Sequence, residues 1–168
     1  LSSGRHSAQY LQCALALQRP ADAAWFGDAL ARQFADEQIE AVASPAIGGL
    51  IIGYEVARHL DLPFFWTERE NGNMTVRRGF WLSPGRRVLV IEDVVTTGGS
   101  TREAIEAVYQ AGGRVIAAGS IIDRSNGAAD VGVPRISLAS LEVPSYEPAD
   151  CPMCARGEVA VKPGSRQA

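Results

Sequence analysis

Residues 86–93, RRVLVIED, carry a nearly unbroken apolar run that ends in two adjacent carboxylates. An apolar run without polar alternation suits a strand covered on both faces, and such strands belong to parallel sheets sandwiched by helices. Parallel neighbours need crossover connections, so helices should alternate with the other strands. They do. Residues 19–36, RPADAAWFGDALARQFAD, put Pro20 where a first turn tolerates it, with Trp25, Leu30 and Phe34 at roughly helical spacing. A short strand, Ile39 to Ala43, then runs into a Ser, Pro and Gly turn. Leu50, Ile51, Tyr54, Ala57 and Leu60 follow, lined up on one helical face. LPFFWTER is a second strand, ended by the turn-forming ENGN. RRVLVIED is the third, and Ala104, Ile105, Val108 and Ala111 mark an amphipathic helix stopped by Gly112 and Gly113. RVIAAGSIID is a fourth strand and PRISLASL a fifth, before a tail rich in Pro, Gly and charge from Pro144 onward. The expected class is α/β, with a parallel-sheet core flanked by helices.

With 168 residues, 46% of them hydrophobic, the chain can bury one sizeable core but is short for two ordinary domains. A net charge of −3 provides no global field toward nucleic acid or a membrane surface, so neither is an expected partner. No apolar run approaches the roughly 18 residues of a membrane span, and no secretory leader is visible. A soluble cytoplasmic protein is the expectation. The sequence starts at Leu1 without a methionine, and residues upstream are expected. Of the 16 basic side chains Lys162 is the one lysine, so chemistry usually done by lysine must fall to arginine.

In a parallel sheet, ligands bind outside the carboxyl ends of the strands, where Glu92 and Asp93 stand. The segment after them, VVTTGGST, should open a helix whose free amides and positive dipole end suit a phosphate. Thr96, Thr97, Ser100 and Thr101 add hydroxyl donors, while Gly98 and Gly99 allow close approach of the backbone. Carboxylates repel a phosphate but accept from neutral hydroxyls, so acid followed by glycine and hydroxyl fits a ribose 5-phosphate. The GKS or GKT of a Walker loop is absent, and so is the GxGxxG of a dinucleotide site. Taken singly, the glycine pair or the helix start could be an ordinary cap; the specificity lies in the whole register from Val88 to Thr101.

VLVIEDVVTTGGST resembles the signature of the type I phosphoribosyltransferases, which transfer ribose phosphate from 5-phosphoribosyl 1-diphosphate to a base. The likeness extends to the orotate-using branch through the N-terminal LSSGRHSAQY, through IIDRSNG, and through the terminal CPMCARG and KPGS. It implies one domain over 1–168: a hood segment at 1–18, an α/β core at 19–143 and a tail at 144–168. It also implies that Glu92 and Asp93 hold the ribose 2′ and 3′ hydroxyls and that Thr96, Thr97, Gly98, Gly99, Ser100 and Thr101 hold the 5′-phosphate. SPAIGG resembles the family's pyrophosphate loop, in which the amides of Ala46, Ile47 and Gly48 cradle the diphosphate; many members carry lysine where Gly48 stands. ERENGNMTVRRG occupies the place of a mobile loop whose lysine reaches the neighbour's diphosphate, and here Arg69, foremost, with Arg77 and Arg78, supplies the cations. Arg124, with Thr97, Ser3 and Gly4, would meet orotate; its alternative is a salt bridge with Asp123 or Asp130. Catalytic roles fall to Arg69, Glu92 and Asp93. Mg²⁺ would arrive on the diphosphate, with no direct protein ligand and at most water-mediated contact to Glu92 and Asp93. A homodimer is implied as well.

Cys151 and Cys154 form a single CxxC, which provides two of the four ligands of a structural zinc. Either a symmetric partner supplies the rest or the thiols are free, with free thiols expected and a redox pair second. His6 and His59 stand at no metal-ligand spacing. Lys162, in a Pro/Gly setting, would be a surface residue that could serve a neighbour's site. Two other functions compete with orotate transfer: a purine phosphoribosyltransferase, disfavoured because a purine has no carboxylate for Arg124, and a non-catalytic regulator that binds the sugar donor.

Overall fold

The computed structural model describes residues 4–161. By contact the chain falls into two units, Cys13–Leu141 and the paired chain ends, Leu1–Gln12 with Glu142–Ala168. The larger unit runs α1 (Cys13–Ala16), α2 (Pro20–Arg32), β1 (Ala41–Pro45), α3 (Leu50–Leu60), β2 (Phe64–Glu70), β3 (Asn73–Val76), β4 (Arg87–Val95), α4 (Gly99–Gln110), β5 (Arg114–Asp123) and β6 (Arg135–Ser140). Its strands form one six-stranded sheet in the order β3-β2-β1-β4-β5-β6. All neighbours are parallel except β2 and β3.

Both faces are covered, as the unbroken apolar strands require. Val42, Leu89, Ile91, Ala117 and Ile121 pack with Leu30, Ile52 and Val56 of α2 and α3. Ala41, Ala43, Val88, Val90, Val115 and Ala118 pack with Ala104, Ile105 and Val108 of α4. Val115 and Ala118 share a face although three positions apart, because the β4–β5 register shifts between Val88 and Leu89 and leaves Ile116 opposite no partner. α4 ends as its glycines foretell: Gly112, at φ 88, donates to the Tyr109 carbonyl at 2.9 Å and Gly113 to that of Val108 at 2.9 Å.

Three expectations need correcting. The segment after β2 is a hairpin partner, β3, joined through Asn71 and Gly72 with φ of 51 and 87, so one edge of the sheet is antiparallel. Trp25 is 64% exposed and stands off the buried face of α2. Ile51 and Tyr54 are likewise exposed, because α3 turns Ile52, Gly53, Val56 and Ala57 inward. The reason is close packing by small residues. A Cβ on Gly27 would lie 2.5 Å from Glu55 Cβ, and one on Gly53 would lie 1.9 Å from Ser44 Oγ. Glycine at those positions lets α2 meet α3 and α3 meet β1, which decides how each helix is rotated.

The chain-end unit is held by backbone pairing of His6 with Tyr146, at 2.9 and 2.8 Å. Arg5 donates to the Ser145 hydroxyl at 2.9 Å and carbonyl at 2.7 Å, and pairs with Glu147. The unit closes with a 3₁₀ turn, Pro148–Asp150, and α5 (Pro152–Ala155). Among the described residues no helix is long and apolar enough to cross a membrane.

Candidate active site

The sheet order reverses direction between β1 and β4: from β1 the chain crosses to β2, and from β4 it crosses the other way to β5. Loops leaving two such strands separate to opposite faces and leave a crevice. One wall is SPAIGG at the end of β1; the other is the β4–α4 connection. They meet closely, since a Cβ on Gly48 would lie 2.8 Å from Asp93 Oδ1.

Glu92 is buried at 6% exposure near the end of β4, and Asp93 beside it is half-buried. Burial, and then the neighbouring Asp93 charge, pushes the Glu92 carboxyl well above its ordinary range. Asp93 Oδ1 accepts from the Val94 amide at 2.8 Å, which fixes the carboxylate at the crevice mouth. The same negative field reaches α1: the buried Cys13 thiol is pushed up to about 12 by burial and then by Asp93 and Glu92. It stays a thiol and is inert at neutral pH.

Beyond Val95 the chain turns through Thr96 and Thr97, both exposed, into Gly98 at φ 75, the residue before α4. A Cβ on Gly98 would lie 2.9 Å from Val131 Cγ1, so both the backbone angle and the packing require glycine. The opening amides of α4 have no intrahelical acceptor, the arrangement at a helix start that suits an anion. Ser100 is exposed beside them, whereas Thr101 is buried in the first turn. Arg102 clamps the loop from behind, donating to the Thr97 carbonyl at 3.2 Å and to that of Asp130. Sequence reasoning passed over Arg102, because nothing in TTGGSTR announces an arginine that folds back on its own loop.

At the β1 loop the Ala46 amide donates to the Thr67 carbonyl at 2.7 Å and Gly49 to that of Pro45 at 3.2 Å. Among the described residues the amides of Ile47 and Gly48, unlike that of Ala46, have no backbone acceptor. The Ala46–Ile47 peptide is cis. The arginines of the β2–β3 hairpin are engaged with carboxylates: Arg69 with Glu103 of α4, Arg77 with Glu70 at 3.0 Å, and Arg78 with Glu68 at 2.8 Å. Arg69 also donates to the Gly72 carbonyl at 2.8 Å.

Arg124 follows β5 directly, its amide on the Val95 carbonyl at 2.8 Å. Among the described residues Arg124 pairs with neither Asp123 nor Asp130, and Asp123 is held by other donors. That carboxylate accepts from the Ser125 hydroxyl at 2.6 Å and amide at 2.7 Å, the Gly127 amide at 2.9 Å, and Arg135 at 3.1 Å. Burial alone would raise Asp123, but the Ser125, Gly127 and Arg135 donors overcome it and hold the carboxyl at about 2. Arg124 Nε, by contrast, is buried without a hydrogen-bond partner among the described residues. Ser3 lies outside the described residues, as does Lys162. Gly4 is an exposed bend at φ 82 in the chain-end unit.

The sequence model of the phosphoribosyl transferase domain matches residues 17–142, a span that runs from before β1 through β6 and so takes in both walls of this crevice. An orotate phosphoribosyltransferase of Pelotomaculum thermopropionicum is 56% identical over 99% of this chain and 88% of its own length. That of Thermotoga maritima is 50% identical over 99% and 89%. The crystal structure of orotate phosphoribosyltransferase from Aeropyrum pernix superposes with a TM-score of 0.70 at 30% identity, covering 84% of each chain. This chain belongs to the orotate phosphoribosyltransferase family and is a pentosyltransferase.

Proposed function

We propose that the chain transfers ribose 5-phosphate from 5-phosphoribosyl 1-diphosphate to orotate, giving orotidine 5′-monophosphate and diphosphate for pyrimidine synthesis in the cytoplasm. The observation that carries this reading is the close meeting of Gly48 with Asp93, which sets a diphosphate cradle beside a diol site. Glu92 and Asp93 accept from the ribose 2′ and 3′ hydroxyls. Thr96, Thr97 and Ser100, with the amides of Gly98 to Thr101, bind the 5′-phosphate, and the amides of Ile47 and Gly48 hold the diphosphate. The sugar is thereby clamped at both ends with its anomeric carbon exposed.

Displacement at that carbon breaks the bond to diphosphate oxygen and forms the bond to the orotate ring nitrogen. Positive charge gathers on the sugar ring as the bond lengthens, and the acidic pair beneath it stabilises that charge. The ring nitrogen ionises readily, so no strong base is needed. Arg124 presents a guanidinium whose Nε has no protein partner, which suits the carboxylate of orotate. Gly4 and Ser3 would cover the base. Arg69 must exchange Glu103 for phosphate oxygens to act on the donor, and its role is electrostatic because guanidinium does not give up a proton.

The family implies Mg²⁺ carried in on the diphosphate, and the donor set fits: Glu92 and Asp93 offer hard oxygen acceptors beside the cradle that would meet the ion through water. When bound, the ion would offset charge on the departing diphosphate. A second copy of the chain is the proposed partner, on the strength of the exposed Ile47, Ile51 and Tyr54.

The test is spectrophotometric. Orotate absorbance should fall on adding 5-phosphoribosyl 1-diphosphate with Mg²⁺, and Arg124→Ala should raise KM for orotate about tenfold or more, as expected for loss of a charge-assisted pair. Consumption of adenine in place of orotate, or donor binding without turnover of any base, would overturn the assignment.

A further inference from the structure

We propose that the Sγ atoms of Cys151 and Cys154 and the Nδ1 of His6 bind one zinc ion that staples the two chain ends together. Among the described residues these three form the one cluster of potential metal ligands, with their donor atoms all within 4.8 Å of one another. His6 Nδ1 lies 3.2 Å from Cys154 Sγ, and the three cysteines of the chain are free. A tetrahedral zinc, with bonds of about 2.0–2.3 Å, places its ligand atoms roughly 3.5–3.8 Å apart, so the cluster needs only small adjustment to close on the ion.

The turn carrying the thiols is shaped for the task. Cys151 is buried at 3% exposure, immediately before α5, and the amides of Cys154 and Met153 point at its sulfur. The Ala155 amide donates to the Cys151 carbonyl at 3.1 Å and Gly157, at φ 80, to that of Cys154 at 2.9 Å, so the loop folds back over the pair. The ligands border a cavity of about 270 Å³ also lined by Tyr10, Glu158 and Val159, and its space accommodates water as fourth ligand. Two thiolates and an imidazole select zinc over magnesium or calcium.

The unit also has a physical need for a metal. Among its described residues the chain-end unit has no hydrophobic cluster of its own and is joined by the His6–Tyr146 pairing and the Arg5 contacts. Segments too small to bury a core are commonly held by metals or disulfides. His6 lies 148 residues from Cys154, so no spacing rule could pair them.

The full chain, purified without a chelating tag or chelator, should contain about one zinc per chain by elemental analysis, the stoichiometry of a single site. After zinc removal, Co²⁺ should produce a thiolate charge-transfer band with tetrahedral visible bands. His6→Ala should weaken Co²⁺ binding at least about tenfold, since even an outer-sphere partner is worth that much. His59→Ala, on α3, should leave it unchanged. Cys154→Ser, which leaves one thiolate, should cut the charge-transfer intensity to about half or less; should that variant fail to fold, the wild-type cobalt spectrum decides alone. Wild-type protein that holds no zinc and gives no cobalt band overturns the proposal. So does a Cys151–Cys154 disulfide in freshly isolated, metal-free protein, or a His6→Ala variant with undiminished affinity.

Discussion

Glu92 is a buried acid beside another acid, held there at a cost to the fold. Its carboxyl is raised by burial and by Asp93, so it contributes stability in full below its unfolded pKa and loses that contribution as pH rises through the folded value. Glu92→Gln has no proton to lose. Thermal melts should therefore show the variant more stable than the parent on the alkaline side, with the difference gone near pH 4, while its affinity for 5-phosphoribosyl 1-diphosphate falls about tenfold because an amide NH₂ replaces one of the carboxyl oxygens that meet the sugar hydroxyls. A parent that is the more stable of the two at alkaline pH would contradict the assignment of strain to this residue. Gly48 poses the complementary case. Its missing Cβ leaves room for Asp93 Oδ1, 2.8 Å from where that atom would sit, so Gly48→Ala must displace either the loop or the carboxylate. Misplacing a binding group by even an ångström costs about a hundredfold in rate, so kcat/KM should fall between roughly tenfold and a hundredfold with the melting temperature little changed.

The β5–β6 connection shows how an element end is made rigid. Asp123, at about 2, gathers the Ser125, Gly127 and Arg135 donors, and so fixes the loop that begins with Arg124. A carboxyl depressed from 3.8 to about 2 contributes roughly 2 kcal/mol above its unfolded pKa, lost as pH falls through the folded value. Asp123→Asn should cost about that much in urea unfolding at pH 7 and progressively less toward pH 2. A constant penalty across that range would point to packing instead of charge. How far such elements were legible from sequence depended on the range of the forces that shape them. The apolar run of β4, the glycine stop of α4 and the acid-to-glycine register are local and were readable, along with every parallel strand. The inward faces of α2 and α3 were not, because Gly27 and Gly53 set them through contacts with Glu55 and Ser44 on other elements. The β3 hairpin was read as a turn alone, since four residues of strand carry little pattern. Arg102 and the Asp123–Arg135 pair act on carbonyls and carboxylates far along the chain, where periodicity has no reach.

At the scale of the molecule, apolar side chains stand outside the core on the same stretch that carries the loop proposed to cradle the diphosphate. Ile47 is 83% exposed, and Ile51 and Tyr54, three residues apart on α3, are 49% and 58% exposed. A shallow cavity of about 580 Å³ lies among Leu50, Ile51, Tyr54, Phe64 and Trp66, and the Tyr54 ring meets Phe64 edge-on at 6.0 Å. Contiguous apolar surface of this kind is characteristic of an interface, and self-association through a two-fold axis would bury it against its own copy. Covering α3 would also steady the cradle, whose Gly49 amide is bonded to Pro45 at 3.2 Å just before the helix begins. Oligomeric state and turnover should therefore move together. In the double variant Ile51→Glu, Tyr54→Glu, charge replaces apolar contact in the middle of the surface while leaving the buried residues of α3 intact. Light scattering should show a dimer for the parent and a monomer for the variant, with kcat/KM reduced at least about tenfold through a loosened cradle. A variant that remains dimeric places the interface elsewhere, and a monomer with full activity shows that the cradle is complete within one chain.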